Sequence, residues 1–137
     1  MRYLGLDLGR ARIGLALADD VLRTARPLTA IPHTSERDDV RRIGEVAREY
    51  EVGQAIVGLP LNMDDSEGPA ARHARAFADR LAEALGVPVA LHDERLSTFE
   101  AAGRLRDHGF SAREQRTRVD AEAAAIILQG WLDARPK

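Results

Sequence analysis

"MRYLGLDLGRARIGLALADD" (residues 1–20) decides how the rest of the chain is read. Leu4, Leu6 and Leu8 alternate with Tyr3, Gly5 and Asp7, the period of a strand with two distinct faces. A turn at Gly9 to Arg12 leads into a second strand, "IGLALAD" (13–19), and the Asp19-Asp20 pair turns the chain toward a third near residues 25–31. Three consecutive strands predict an antiparallel meander. Asp7 interrupts the apolar run between Leu6 and Leu8, and a carboxylate buried without a partner is costly. The remainder of the sequence must supply that partner, or a cation must.

Beyond the third strand the period changes. "SERDDVRRIGEVAREY" (35–50) sets Val40, Ile43, Ala47 and Tyr50 at helical spacing, with Ser35 and Asp38 as an N-terminal box. "QAIVGLP" (54–60) reads as a short buried strand that stops at Pro60. "PAARHARAFADRLAEALG" (69–86) is a helix with Pro69 in its first turn, Ala70, Ala74, Phe77, Leu81 and Leu85 on one face, and Gly86 as C-cap. "VPVALHDE" (87–94) is a further strand. Ser97 and Glu100 form a capping box for a helix ending near Gly109, and Ser111 with Glu114 marks a short helical turn. The last helix is expected from about Asp120 to Asp133, apolar nearly all round and therefore buried. Strands alternating with helices make parallel crossovers. The predicted fold is α/β: a mixed five-stranded sheet, a three-strand meander plus two parallel strands, with helices on both faces.

The 137 residues fit a single domain, 1–137, with 45% hydrophobic and 31% charged residues, the profile of a folded soluble protein. The absence of Cys excludes disulfides and thiolate metal sites. The apolar stretch after Arg2 is broken by Asp7, Arg10 and Arg12, so it does not read as a targeting segment, and no run approaches membrane-spanning length. A cytoplasmic protein without a membrane partner is the expectation. Net charge is only -2, but Lys137 is the sole Lys among 20 basic residues. Coding bias alone would account for that. Guanidinium is also the better bidentate phosphate ligand, and two Arg groups stand close in sequence: Arg10, Arg12, Arg23 and Arg26, then Arg113, Arg116 and Arg118.

"GRARIG" (9–14) has the glycine spacing of a phosphate-binding loop, yet Leu15 and Ala16 stand where Lys and Ser or Thr are required. Its glycines are expected to shape a hairpin turn instead. Acidic residues carry more. "LHDERLST" (91–98) places Asp93 and Glu94 at the end of a strand, where alternation lets only one face the way Asp7 faces. "RVDAEAAAIIL" (118–128) places Asp120 at the expected start of the last helix, where capping and the helix dipole favour an acid whatever the function. Three carboxylates from these positions can converge at one edge of a sheet, a hard oxygen site suited to Mg²⁺. His33, His73, His92 and His108 show no zinc spacing, and His92 beside Asp93 is a candidate assistant.

Four segments together resemble the YqgF/RuvX family, bacterial relatives of RuvC: "GLDLGRARIGLALAD", "IVGLPLNMDDSEGP", "LHDERLST" and "VDAEAAAIIL", in the family's order over nearly the whole chain. The resemblance implies an RNase H-like fold and a metal-dependent nuclease. Members are described either as Holliday junction resolvases or as the nuclease that matures the 5′ end of pre-16S rRNA. Carried over by position, the acidic set is Asp7, Glu94 and Asp120, as catalytic residues and as ligands of Mg²⁺ or Mn²⁺, with two ions expected. Two positions depart from the pattern: Ala11 stands where many relatives have Lys or Arg, and Asp65 where Gly is common.

The mechanism expected on this basis is two-metal phosphodiester hydrolysis, with Arg10, Arg12, Arg95 and Arg118 contacting substrate phosphates. Only six aromatic residues occur, which argues for recognition by backbone and shape over base stacking. The expected partners are structured RNA, including ribosomal precursor particles, or branched DNA. A homodimer would serve junction resolution, which needs paired cuts. An ATPase and a non-catalytic assembly factor are the rival classes. The first needs two such domains around a nucleotide, and the second would tolerate loss of the carboxylates.

Overall fold

A computed structural model describes the backbone of residues 1–94 and 112–135, with side chains omitted at 112–114. The expected helix from Ser97 to Gly109, together with Arg95, His108, Ser111, Arg113 and the Glu114 side chain, lies outside the described residues. Five strands are present: β1 (Arg2–Leu8), β2 (Arg12–Asp19), β3 (Arg26–Pro32), β4 (Val52–Leu59) and β5 (Val89–Asp93). They form one sheet in the order β3-β2-β1-β4-β5. The β1–β2 and β2–β3 pairs are antiparallel, and β1–β4 and β4–β5 are parallel, so the predicted meander and crossovers are both found.

Local chemistry accounts for the joints. Gly9 N–H donates to the Arg12 carbonyl at 2.9 Å and closes the β1–β2 turn. The Asp19 carboxylate accepts from the Val21 and Leu22 amides at 2.9 and 2.8 Å, turning the chain out of β2. Helix α1 (Glu36–Glu49) begins at Ser35, whose hydroxyl accepts from the Asp38 amide. Helix α2 (Pro69–Leu85) has Pro in its first turn and ends at Gly86, at φ 69°, the left-handed conformation a C-cap favours. Its buried face carries Ala71 with Ala74, Phe77 and Leu81, whereas Ala70, expected there, is exposed.

The last helix, α3 (Ala112–Ala134), corrects the sequence reading. No Gly or Pro interrupts residues 112–120, so the helix runs through them and Asp120 lies inside it, away from any N-terminal cap. The capping explanation for Asp120 is therefore removed.

Two cores sandwich the sheet. Leu4 and Leu6 of β1, Ile13, Leu15 and Leu17 of β2, and Val57 of β4 pack on α1 and α2. The opposite face, with Tyr3, Ala16, Ala18 and Ile56, packs on Ala124, Ile127, Leu128 and Leu132 of α3. That second face is lined by small residues because α3 sits very close to it. A Cβ at Gly5 would lie 2.8 Å from Leu128 Cβ, and one at Gly14 only 1.9 Å from the Asp120 carbonyl oxygen. Gly14 thus belongs to the sheet–helix contact and not to the hairpin turn that the sequence suggested. A side chain there would occupy the space of the α3 backbone.

Candidate active site

Asp7 leaves β1 on the α3 face, paired in register with Gly14. Parallel strands β1, β4 and β5 end at the same edge, where ligands of such sheets characteristically bind. Glu94 follows β5 at this edge, and it is the member of the Asp93-Glu94 pair that meets Asp7. The two carboxyl groups hydrogen-bond to each other. Gly58 makes room for this: a Cβ there would stand 2.3 Å from Glu94 Oε2 and 2.7 Å from Ile127 Cδ1.

Burial and the neighbouring charge set the protonation of the pair. Desolvation first, then the adjacent Asp7 carboxylate, pushes Glu94 up to about 8 from 4.5. Asp7 is also raised by burial, offset by the hydrogen bond that Glu94 donates to it. One proton is therefore shared, held on Glu94. The folded protein keeps this proton up to about pH 8, whereas the unfolded chain releases it near 4.5, so metal-free stability falls as pH rises between these values. Glu94→Gln removes the ionisation and preserves a donor toward Asp7. The expected outcome, read by urea unfolding in the presence of a chelator, is a flatter pH profile. The variant should exceed the native protein by roughly 2–4 kcal/mol near pH 9, with no gain below about pH 5.

Glu94 Oε2 is buried and has no hydrogen-bond partner among the described residues. An orphaned carboxylate oxygen beside a second carboxylate is the donor chemistry of a hard divalent cation. The Asp120 carboxylate is turned elsewhere: Arg12 Nε donates to it at 2.5 Å. Asp120 is near enough to act electrostatically on Asp7, but no three His, Asp or Glu side chains surround one point among the described residues. Asp7 and Glu94 are thus brought together, and Asp120 stands beside them in an ion pair.

The predicted Arg contacts separate in the same way. Arg10 lines the cleft next to Glu94, and Arg12 is the partner of Asp120. Arg118 is exposed on α3, and Arg116, with Thr117, flanks a depression shared with Arg12. Arg23 is remote from the turn that bears Arg10, because β2 carries the chain to the opposite end of the sheet. There its guanidinium donates to the Leu132 carbonyl at 2.8 Å. His92 packs against Gly130 of α3, where a Cβ would lie 2.8 Å from Nε2. Asp65 adopts φ 69°, a region that Gly enters freely and Asp tolerates, which explains why Gly suits this loop position.

Sequence reasoning missed one pair. Asp39 is 1% exposed and accepts from His33 Nδ1 and from the Thr34 amide at 3.1 Å. The available signal was its spacing, since Asp39, Ile43 and Ala47 recur every four residues on the inner face of α1.

This arrangement, a mixed sheet clasped between helices with carboxylates at the ends of its parallel strands, is that of the RuvC-like RNase H fold. The chain is similar over 98% of its length to Thermus thermophilus RuvC in complex with a Holliday junction substrate, with TM-score 0.60, 22% identity and 95% of that chain covered. It is similar over 98% to the fowlpox virus Holliday junction resolvase, with TM-score 0.58, 12% identity and 100% of that chain covered. At these identities the likeness establishes the fold. The chain belongs to the RuvX family, described as "Holliday junction resolvase", whose profile matches residues 1–134. Among its relatives, a protein of Anaeromyxobacter sp. (strain Fw109-5) named "Putative pre-16S rRNA nuclease" is 73% identical over 135 residues, covering 98% of each chain. A protein of Myxococcus xanthus (strain DK1622) with the same name is 49% identical over 134 residues, covering 98% of this chain and 89% of the other.

Proposed function

We propose that this chain is a divalent-metal-dependent endonuclease that hydrolyses nucleic-acid phosphodiesters and acts in 5′-end maturation of pre-16S rRNA. The observation that carries the chemistry is the buried Asp7–Glu94 pair with its orphaned oxygen. The RNA assignment rests on the names of relatives as close as 73% identity. Mg²⁺ or Mn²⁺, two ions in number, is the proposed cofactor, held by Asp7 and Glu94 with Asp120 completing the set. Bound there, the metal would activate water and stabilise the leaving oxygen.

The chain's own residues do the rest. Asp7 near the end of β1 and Glu94 just after β5 are fixed at one edge by parallel strands on either side of β4, so their oxygens need little reorganisation to act together. Arg12 neutralises Asp120 and sets a guanidinium beside an acidic pair that would otherwise repel a phosphodiester. Arg10, Arg95 and Arg118 are the further proposed backbone contacts. No helix among the described residues is long and apolar enough to cross a membrane, which accords with the proposed cytoplasmic location on ribosomal precursor particles.

The test is a cleavage assay run side by side, with Mg²⁺ or Mn²⁺, on an RNA stem carrying the precursor 5′ leader and on a four-way DNA junction. Cleavage of the RNA at a defined position is expected. Paired symmetric cuts in the junction, with the RNA intact, would assign the chain to junction resolution and to the two-fold dimer that this requires. Cleavage of neither would leave a non-catalytic assembly factor as the better account.

A further inference from the structure

A cleft of about 480 Å³ opens beside the carboxylate pair, on the α1–α2 face of the sheet, and Gly58 and Glu94 form part of its wall. Its floor is apolar: Leu8 and Ile13 come from the β1–β2 hairpin, and Ala74 and Phe77 from α2. Its rim is polar. Arg10 stands beside Gly9 on one side, His33 faces it from the end of β3, and His73 of α2 lies 6.3 Å from the Phe77 ring, centroid to centroid.

The two other acids at this cleft are already engaged. Glu36 pairs with Arg80 of α2, and Asp39 is occupied by His33 Nδ1, the Thr34 amide and, at 3.7 Å, Arg42. Apart from Glu94 itself, the groups left to meet a ligand are donors and aromatic rings around an apolar floor. Anchoring through Nδ1 to a buried carboxylate also fixes the His33 ring, so its orientation costs little on binding.

Resting on the nuclease reading above, we infer that this cleft takes one unstacked nucleotide of the substrate strand, next to the phosphodiester held at Asp7 and Glu94. The base would lie on the Phe77 and Ile13 floor, with His33, His73 and Arg10 at its edge and backbone. Two features favour that occupant. The cleft shares Glu94 with the carboxylate pair, so a strand held at that pair can set one of its nucleotides in it. Its size accommodates a single nucleotide and its donor-rich rim complements one. Cleavage position would then be set by which nucleotide can leave the stack, and a single pocket suffices despite the scarcity of aromatic residues.

The experiment uses the full chain and the leader RNA with one abasic site placed in turn at each position around the cut. One position adjacent to the cut is expected to lose roughly tenfold or more in kcat/KM, the size of one base contact, while its neighbours change little. In a parallel arm, 2-aminopurine at that same position should brighten when the RNA binds the cleavage-deficient Asp7→Asn protein, reporting an unstacked base. Ala70→Trp, at an exposed residue on the cleft wall, should abolish the brightening, and its kcat/KM loss should not add to that of the abasic site. Cleavage with a flat abasic profile and no brightening at any position would overturn the cleft assignment and leave the nuclease reading intact. Absence of cleavage would overturn the nuclease reading, while the fluorescence arm, which needs only binding, would still decide the cleft.

Discussion

Asp7→Asn is expected to lower phosphodiester cleavage by roughly a thousandfold, about 4 kcal/mol of transition-state stabilisation, with the fold unchanged. The substitution is nearly isosteric and removes the buried charge that the pair carries while Glu94 holds its proton. Thermal stability of the metal-free protein should therefore hold or rise, most clearly above about pH 8, where Glu94 also ionises. Addition of Mn²⁺ should raise the Tm of the native protein and leave that of the variant nearly unmoved. Activity loss with a preserved or higher metal-free Tm separates a chemical role from a structural one. Retained cleavage would remove Asp7 from the catalytic set.

Gly14→Ala is expected to cost about 3 kcal/mol, or roughly 10 °C in Tm, a large effect for one methyl group. The new Cβ would stand 1.9 Å from the Asp120 carbonyl oxygen and 2.4 Å from its carbon, both backbone atoms of a buried helix. No side-chain rotation relieves that, so α3 must move away from β2, and it takes Asp120 and the Arg12 ion pair with it. Cleavage should fall as well, even at temperatures where the variant remains folded. Gly44→Ala supplies the contrast. Its Cβ would meet nothing nearer than Arg48 Nη1 at 3.5 Å, and in mid-helix the change should stabilise by up to about 1 kcal/mol. Equal effects at the two positions, measured by chemical unfolding, would contradict the packing account.

The sheet is largely legible in the sequence because its signals are local. The alternation of Leu4, Leu6 and Leu8 with Tyr3, Gly5 and Asp7 does separate the two cores. Ser35, Pro69 and Gly86 mark helix ends through backbone chemistry that operates within a few residues. Asp7 stood out for the same reason, as a charge in an apolar strand. Asp120 is ambiguous in sequence because an acid before an alanine run looks the same whether it caps a helix or lies within one, and only the chain preceding it distinguishes the two. The glycine spacing of residues 9–14 suggests a turn at both ends, although the constraint on Gly14 is a helix more than a hundred positions later.

What the sequence determined alone is thus the order and type of most elements, the two-faced sheet, and a carboxylate in the first strand that required a partner. The tertiary structure decided which partner it has. Glu94 meets Asp7 because parallel pairing carries β4 and β5 to the same edge, Gly58 leaves space for its carboxyl group, and burial forces one proton onto the pair. It also decided that Arg12 holds Asp120 and that His33 and Asp39 border the cleft whose wall includes Glu94. Hydrophobic period and capping act between residues near in the chain. Desolvation, ion pairing and close backbone approach depend on distances that exist only once the chain has folded.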